Sequence, residues 1–258
     1  MLSKISEFQS KKNRSKIICL TAYSKNIAQI IDKHTDLILI GDSLGSVLYN
    51  FKSTRSVTLD MMIEHSKSAR QGISNSLMVV DMPYNTYNNP AQALKNCKKV
   101  MKLTKCDAVK LEGGLKIIKI VKLLVKNKIP ILGHLGILPQ FTKGKFKSKG
   151  KSKKERKEII RDSKLLQEAG AFSLVLECVE KKLSKEVTNS LKIPTIGIGS
   201  SNNCDGQILV TDDILGLTES KIKFVKKFTN IKKIIASGVK KFKKEVKSNK
   251  YPTKKYSY

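Results

Sequence analysis

Four carboxylates stand at the ends of four short apolar runs, each rich in Val, Ile or Leu. The acids are Asp42, Asp81, Glu112 and Glu177. Such runs, bounded by Gly or Pro, are typical of strands buried on both faces of a parallel sheet. Acids at equivalent places in successive strands converge on the carboxyl end of the sheet, where α/β proteins build their active sites. In a chain of formal net charge +30, these acids are the leading candidates for chemistry.

The segment Gly-Asp-Ser-Leu-Gly at 41–45 joins a strand end to a glycine turn. Asp42 offers a hard oxygen ligand and Ser43 a hydroxyl, without the spacing of a phosphate-binding loop. On its own, Asp42 can also be interpreted as a turn cap. Its pairing with Asp81 favours a Mg²⁺ site, because Mg²⁺ binds one or two protein carboxylates and leaves its other positions to water and substrate. No histidine-rich set indicates zinc.

Further polar side chains belong to the same predicted strand ends. Lys110 and Glu112 share a face of one strand. We expect them to point inward, since a charged pair in an apolar strand is costly unless partnered; a solvated outward pair is the alternative. His134, between glycines, is predicted to line the site or to be a hydrogen-bonded barrel residue. Glu177 is a candidate general base, and Cys178 is interpreted as a small barrel residue rather than a nucleophile, because His134 lies on another strand.

Eight strand patterns alternate with helical patterns, which favours a closed (β/α)₈ TIM barrel over an open doubly wound α/β sheet. The predicted strands are Ile17–Tyr23, Leu37–Asp42, Leu77–Met82, Ala108–Glu112, Ile131–Gly136, Ser173–Cys178, Thr195–Ser200 and Gln207–Thr211. The helical patterns cover Asn26–Lys33, Leu59–Gly72, Pro90–Leu103, Leu115–Lys126, Lys154–Gly170 and Lys181–Leu191.

A chain of 258 residues fits a single barrel domain over 1–258. Its lysine-rich stretch at 141–157 is either a mobile surface loop or a lid over the active-site face. The pattern at Ile222–Val246 predicts a basic amphipathic helix, followed by a frayed tail. No membrane span or secretory signal is expected, although the basic residues 1–16 leave a transit peptide open. Five scattered cysteines fit a reducing cytosol.

The positive charge is mostly lysine, since only five of the 51 basic residues are arginine. Base-edge recognition favours arginine, and single-strand binding needs interleaved aromatic residues. Neither pattern is present, so we predict no specific nucleic-acid partner and attribute the lysines to an A/T-biased coding sequence. A polyanion-binding protein that has lost catalysis remains the alternative from another functional class.

Together, these motifs resemble the ketopantoate hydroxymethyltransferase family in content and order. The resemblance covers about Ile17 to Ile231. The segments that carry it are Gly41–Gly45, Asp81-Met82-Pro83, Val109–Gly114, Gly133–Gly136, Leu176-Glu177-Cys178, Ile196–Gly199 and Asp205–Val210.

The resemblance implies a (β/α)₈ barrel related to phosphoenolpyruvate-utilising and isocitrate-lyase-like enzymes. Members transfer a one-carbon unit from 5,10-methylenetetrahydrofolate to 3-methyl-2-oxobutanoate, which gives 2-dehydropantoate for pantothenate and coenzyme A synthesis. The resemblance also implies a cytoplasmic homo-oligomer, a homodecamer in the family. Another Mg²⁺-dependent oxoacid lyase of the same barrel type is the nearest alternative.

Site roles follow from the resemblance, residue by residue. Asp42 and Asp81 would bind Mg²⁺, with Glu112 completing the metal site. Asp42, Ser43, Asp81 and Lys110 would contact the oxoacid, and Glu177 would accept a proton.

Several positions depart from the family pattern. Asn50-Phe51 stands where many members have Gly-His, and Leu138, Phe141 and Ser200 replace smaller residues. These differences concern folate binding and lid closure rather than the metal site.

Overall fold

The computed structural model describes residues 3–142 and 147–258. The chain divides into two compact units, one ending at Val210 and the other comprising Thr211–Tyr258. The first unit contains a closed barrel of eight parallel strands in the order β1 to β8. The strands are β1 (Ile17–Thr21), β2 (Leu37–Ile40), β3 (Leu77–Asp81), β4 (Ala108–Glu112), β5 (Ile131–Gly136), β6 (Ser173–Glu177), β7 (Thr195–Ile198) and β8 (Gly206–Leu209).

Helices connect most of these strands. In the first unit they are α1 (Lys4–Ser10), α2 (Lys25–Ile31), α3 (Leu44–Leu48), α4 (Leu59–Arg70), α5 (Pro90–Thr104), α6 (Ile118–Lys126), α7 (Lys153–Glu168) and α8 (Lys181–Ser190). The second unit contains α9 (Thr211–Ile214) and α10 (Ile231–Lys247). Short 3₁₀ turns lie at Thr54–Ser56, Leu115–Ile117 and Lys254–Tyr256. The eight predicted strands and the closed barrel are confirmed, whereas the single-domain assignment of 1–258 stays a prediction.

Two apolar layers hold the barrel together. One lies between the strands and the surrounding helices, where side chains such as Ile38, Val80 and Leu124 are fully buried. The other fills the barrel interior, where Leu37 and Val79 belong to a separate buried cluster. Strands buried on both faces explain why their sequences read as continuous apolar runs.

Helix α1 packs at the amino-terminal end of the barrel. Its Phe8 is buried in the interior cluster and meets the ring of Phe172 edge to face at 5.8 Å between centroids. The Ser3 hydroxyl caps the helix by accepting the backbone N–H of Ser6 at 3.2 Å. The sequence did not predict this helix, because its residues are polar or charged apart from Ile5 and Phe8.

The interior changes character along each strand. Alternate residues of a strand point to the same face, so Asp81 and Glu177 continue the inward rows that begin with Val79 and Val175. The same alternation directs His134 inward after Leu132. The barrel is therefore apolar towards the amino ends of its strands and charged towards their carboxyl ends.

The structure corrects two sequence predictions outside the strands. The glycine turn at 41–45 continues as the short helix α3. The last helix begins at Ile231 rather than at Ile222. The Asn230 side chain caps its first turn by accepting the backbone N–H of Lys233. The tail carries a 3₁₀ turn, and Tyr251 meets Phe242 at 5.5 Å between centroids, while its fraying stays a prediction.

The loop predicted over the lysine-rich stretch 141–157 ends earlier than expected. Ser152 caps α7 by accepting the N–H of Glu155, so the helix begins at Lys153. Residues 143–146 of this stretch lie outside the described residues. Among the helices that the structure describes, none combines the length and apolar character that crossing a membrane requires.

Candidate active site

Strand register brings Asp81 and Lys110 together. They are Cα partners across β3 and β4, and the Lys110 Nζ atom lies 2.6 Å from Asp81 Oδ1. Both side chains are buried. Within the described part of the chain, Asp81 Oδ1 accepts no well-angled hydrogen bond despite that close ammonium. This oxygen therefore keeps lone-pair capacity for a further electropositive partner.

Asp42 lies beside this pair. Its backbone N–H donates to Asp81 Oδ2 at 3.0 Å, which ties the end of β2 to the end of β3. Gly41 leaves room for the Ser43 side chain in the turn after β2, because a Cβ at Gly41 would lie 2.9 Å from the Ser43 hydroxyl oxygen. Burial, and then the charges of Asp81 and Glu112, raise the pKa of Asp42 well above its usual range.

Register also pairs Glu112 with His134, across β4 and β5. The imidazole lies between two carboxylates, with Nδ1 3.5 Å from Glu112 Oε1 and Nε2 3.2 Å from Glu177 Oε2. These are ion-pair contacts rather than well-angled hydrogen bonds. Burial and the Lys110 charge oppose protonation, but contacts with Glu112 and Glu177 outweigh them and raise the pKa of His134 to about 9.

The same balance acts on Lys110 and Glu112. Burial disfavours the ammonium, yet the carboxylates of Asp81, Glu112 and Asp42 raise the pKa of Lys110. Burial likewise disfavours the Glu112 carboxylate, but its contact with His134 holds the pKa of Glu112 below its usual value. The interpretation of Lys110 and Glu112 as an outward solvated pair is therefore wrong.

Glu177 reaches this cluster through a close approach of β5 to β6. Gly136 has a φ of +97°, and a Cβ there would lie 2.1 Å from the Glu177 carbonyl oxygen. Only glycine adopts this conformation in that space. The next backbone N–H, from Ile137, donates to the same carbonyl at 2.9 Å.

Gln140 is a member of the site that the sequence did not reveal. It follows β5 and is 1% exposed. Its Nε2 atom donates to Asp42 Oδ2 at 2.8 Å and to the Met82 carbonyl at 3.0 Å, while its backbone N–H donates to Glu112 Oε2 at 3.0 Å. One loop residue thus holds the carboxylates of two different strand ends. No periodicity marks it in the sequence, because it lies outside the strands.

Two tyrosines support these contacts. The Tyr87 hydroxyl donates to Gln140 Oε1 at 2.5 Å and accepts the Glu112 N–H at 3.4 Å, which fixes the orientation of the Gln140 amide. The Tyr23 hydroxyl lies 2.9 Å from Ser43 Oγ. Sequence reasoning missed both tyrosines, since neither lies in a recognisable motif.

Cys178, in contrast, has no sign of a nucleophile. Burial, and then the Glu177 charge, raise the pKa of its thiol to about 11. A thiol in that state remains protonated at neutral pH, and the thiolate is the reactive form.

Among the described residues, the site holds four carboxylates against one ammonium and one imidazole. Across residues 3–142 and 147–258, no set of three or more His, Cys, Asp or Glu side chains is arranged to enclose a metal ion. Asp42 and Asp81 nevertheless fit a hard cation that takes few protein ligands. The raised pKa of Asp42 indicates surplus negative charge at that point, even though Asp81 Oδ1 has the Lys110 ammonium at 2.6 Å.

Comparison with known proteins places the chain among curated relatives. The profile of the ketopantoate hydroxymethyltransferase family matches residues 3–254. A 3-methyl-2-oxobutanoate hydroxymethyltransferase from Pelagibacter ubique (strain HTCC1062) is 64% identical over the whole of both chains. One from Anaplasma marginale (strain St. Maries) is 46% identical over 100% of this chain and 94% of the relative.

Solved structures of low sequence identity share the fold. A phosphonopyruvate hydrolase in complex with oxalate and Mg²⁺ superposes with a TM-score of 0.62 at 10% identity, covering 99% of this chain and 93% of that one. A 2,3-dimethylmalate lyase of the PEP mutase/isocitrate lyase superfamily gives 0.61 at 12% identity with the same coverage. These two similarities support the (β/α)₈ barrel alone. With the match along its length and the 64% identity to a curated relative, the chain belongs to the ketopantoate hydroxymethyltransferase family.

Proposed function

We infer that this chain transfers a one-carbon unit from 5,10-methylenetetrahydrofolate to 3-methyl-2-oxobutanoate. The net reaction takes up water, forms a carbon–carbon bond at C3 of the oxoacid, and releases tetrahydrofolate and 2-dehydropantoate. The names of the curated relatives support this reaction. The product serves pantothenate and coenzyme A synthesis.

The observation that carries the proposal is the gathering of acids from separate strands at one end of the barrel. Asp42, Asp81, Glu112 and Glu177 are all buried there, beside Lys110 and His134. Proton removal next to a carbonyl needs a base together with groups that stabilise the resulting negative charge. This cluster supplies both.

Asp42 and Asp81 are the residues that would hold Mg²⁺, with Glu112 completing the metal site directly or through water. When bound, the cation supplies Lewis-acid stabilisation of negative charge on the keto oxygen of the substrate. Gln140 holds Asp42 and Glu112 by hydrogen bonds of 2.8 and 3.0 Å, so both acids are oriented before any ligand arrives.

Glu177 is the proposed base that takes the proton from C3 of the oxoacid. Its Oε2 atom lies 3.2 Å from His134 Nε2. We propose that His134 positions this carboxylate, since the imidazole is buried between it and Glu112. A base held in place before the reaction loses little energy to reorganisation when charge develops.

Lys110 and Ser43 are proposed to contact the oxoacid itself. The Lys110 ammonium remains charged among three acids and can offset the negative charge of the substrate. The Ser43 hydroxyl, paired with Tyr23, lies next to Asp42 in the chain and offers one further hydrogen bond.

A three-component assay tests the reaction. We expect 2-dehydropantoate to form only when oxoacid, 5,10-methylenetetrahydrofolate and Mg²⁺ are all present, and a chelator to abolish turnover reversibly. Carbon-13 in the folate methylene should appear in the product. Cleavage of the oxoacid without folate would instead favour the oxoacid lyase.

The cellular setting belongs to the same proposal. We propose a cytoplasmic homo-oligomer, and the five free cysteines support a reducing compartment. Sedimentation equilibrium of the purified chain measures the subunit number, and a monomer at micromolar concentration would contradict the oligomer.

A further inference from the structure

Three side chains from three different loops meet beside the acid cluster, which consists of Asp42, Asp81, Glu112 and Glu177. The Arg55 guanidinium lies over the Tyr84 ring at 4.3 Å from its centroid, and its NH2 group donates to the Tyr84 hydroxyl at 2.9 Å. The Phe141 ring meets Tyr84 edge to face at 5.7 Å between centroids. We call Arg55, Tyr84 and Phe141 the rim cluster.

The backbone connects the rim cluster directly to the site. Tyr84 follows Asp81 by three residues, and Phe141 follows Gln140. The Gln140 side chain binds both Asp42 and the Met82 carbonyl. Hydrogen bonds from Gln140 therefore connect the loops after β3 and β5, close to the residues that carry the two aromatic rings, Tyr84 and Phe141.

The rim cluster is not part of the core. Phe141 is 53% exposed, and Arg55 is exposed as well. Within residues 3–142 and 147–258, the hydrogen bond from Arg55 to Tyr84 uses one donor group of the guanidinium, so other N–H groups remain for an anion. An aromatic face and a cation thus lie side by side next to an acidic, buried site.

We propose that the rim cluster binds the tetrahydrofolate part of the co-substrate, with an aromatic ring against Phe141 and the glutamate carboxylate at Arg55. This inference rests on the proposed function. The oxoacid is small and lacks a ring, whereas the folate combines ring systems with carboxylates remote from its reacting carbon. The interior carboxylates repel that glutamate, so it must lie outside the acid cluster, where Arg55 is the complementary charge.

The ring contact is tested by equilibrium binding of tetrahydrofolate to the full chain. Stacking of a heteroaromatic ring on an aromatic side chain is worth enough that Phe141→Leu should raise Kd about tenfold. Phe141→Tyr keeps the ring and should stay within about twofold of wild type. Binding of 3-methyl-2-oxobutanoate should not change in either variant.

A matched control comes from the second unit. Phe228 is 67% exposed and carries a lysine ammonium, Lys226 Nζ, at 5.0 Å from its ring centroid. Phe228→Leu removes a comparable exposed ring and should leave the Kd for tetrahydrofolate unchanged. Equal weakening by Phe141→Leu and Phe228→Leu, or no weakening by Phe141→Leu, would overturn the ring contact.

The carboxylate contact is tested by comparing tetrahydrofolate with 6-methyltetrahydropterin, which carries no carboxylate. Arg55→Gln should raise Kd for tetrahydrofolate about threefold to fivefold, the scale of an exposed ion pair, and leave Kd for 6-methyltetrahydropterin unchanged. Equal weakening of both ligands would mean that Arg55 only supports Tyr84, and the assignment would be wrong.

Turnover separates this inference from the proposed function. If wild type makes 2-dehydropantoate and Phe141→Leu binds tetrahydrofolate normally, the rim-cluster assignment alone is wrong. If wild type binds tetrahydrofolate through Phe141 but makes no product, the proposed reaction is wrong and the binding site stands. Wild type that does not bind tetrahydrofolate overturns the rim-cluster assignment.

Discussion

The two ends of the barrel interior are built from the same strands, yet they differ in every respect that matters for chemistry. Towards the amino ends, Leu77 and Val79 pack with other apolar side chains and with Phe8 of α1. Towards the carboxyl ends, Asp81 and Glu177 occupy the next positions of the same inward rows. Apolar burial stabilises the barrel at one end, and this stability supports the burial of charges at the other.

The difference shows how a parallel barrel separates stability from function. On a single strand, the apolar and charged regions lie only two residues apart, because every second residue faces the barrel interior. Substitutions on one strand, β3, can therefore test both regions independently.

The largest expected effect belongs to Asp81 at the charged end. Asp81→Asn removes one of two proposed cation ligands and the partner of Lys110, so we expect kcat to fall by about 10³-fold or more. The fold should persist, because Lys110 keeps other carboxylates nearby. Steady-state kinetics and circular dichroism measure the two properties. Activity close to wild type would exclude the metal role of Asp81.

The matched change at the apolar end is Leu77→Ala, four residues earlier on the same strand. Leu77 is 2% exposed within the interior cluster. Its truncation should lower the free energy of unfolding by about 2–5 kcal/mol. The kcat of the folded protein should remain within about threefold of wild type. Urea denaturation and steady-state kinetics on the same preparation measure the two properties. A large loss of kcat with unchanged stability would refute the separation of stability and activity between the two ends of the barrel.

Gln140 sharpens the comparison, because it orients the charged end without carrying charge. Gln140→Ala should reduce Mg²⁺ affinity or kcat by about 10–100-fold, as for other residues that orient ligands. Calorimetric titration with Mg²⁺ gives a readout besides turnover. The control is Gln92→Ala, at a side chain that bonds only to nearby loop residues in the described structure. Equal Mg²⁺ affinity and kcat in the Gln140→Ala and Gln92→Ala variants would exclude a positioning role for Gln140.

The smallest effect is expected near the amino ends of the strands, at Asp32. Burial disfavours its charge, but N–H groups of Ser76, Asn75 and Ser74 hold the pKa of Asp32 below its usual value. Asp32→Asn should cost about 1–3 kcal/mol of unfolding free energy at neutral pH.

This stabilisation has a definite pH dependence. Since the folded pKa lies below the unfolded value of about 3.9, the contribution is complete above that pH and is lost as the pH falls through the folded pKa. Urea midpoints of wild type and Asp32→Asn should converge in that range. A constant difference from pH 7 to pH 3 would contradict the assigned cause.

The positions of the acids in the candidate site were predictable from the sequence, because the end of a strand pattern also fixes where its last residue lies in the barrel. Asp42, Asp81, Glu112 and Glu177 each end an apolar run, and the carboxyl ends of parallel strands meet. Gln140 was not predictable, since a loop residue shows its role only once the chain path places it between Asp42 and Glu112.

The six helices predicted between strands lie within three residues of their observed bounds, whereas the first and last helices were less accessible. Lysine-rich segments match a helical pattern over long stretches, so residues 222–230 were wrongly included in the last helix. The start of α10 depends on a local capping hydrogen bond at Asn230. The helix α1 was missed because its two apolar residues, Ile5 and Phe8, are too few to establish an apolar periodicity.

The most direct test of the charged end is proton exchange at C3 of 3-methyl-2-oxobutanoate in D₂O, followed by NMR with Mg²⁺ present. Wild type should exchange this proton. Glu177→Gln should lower the exchange rate by about 10²-fold or more while still binding the oxoacid. Exchange by Glu177→Gln at the wild-type rate would contradict the assignment of Glu177 as the base.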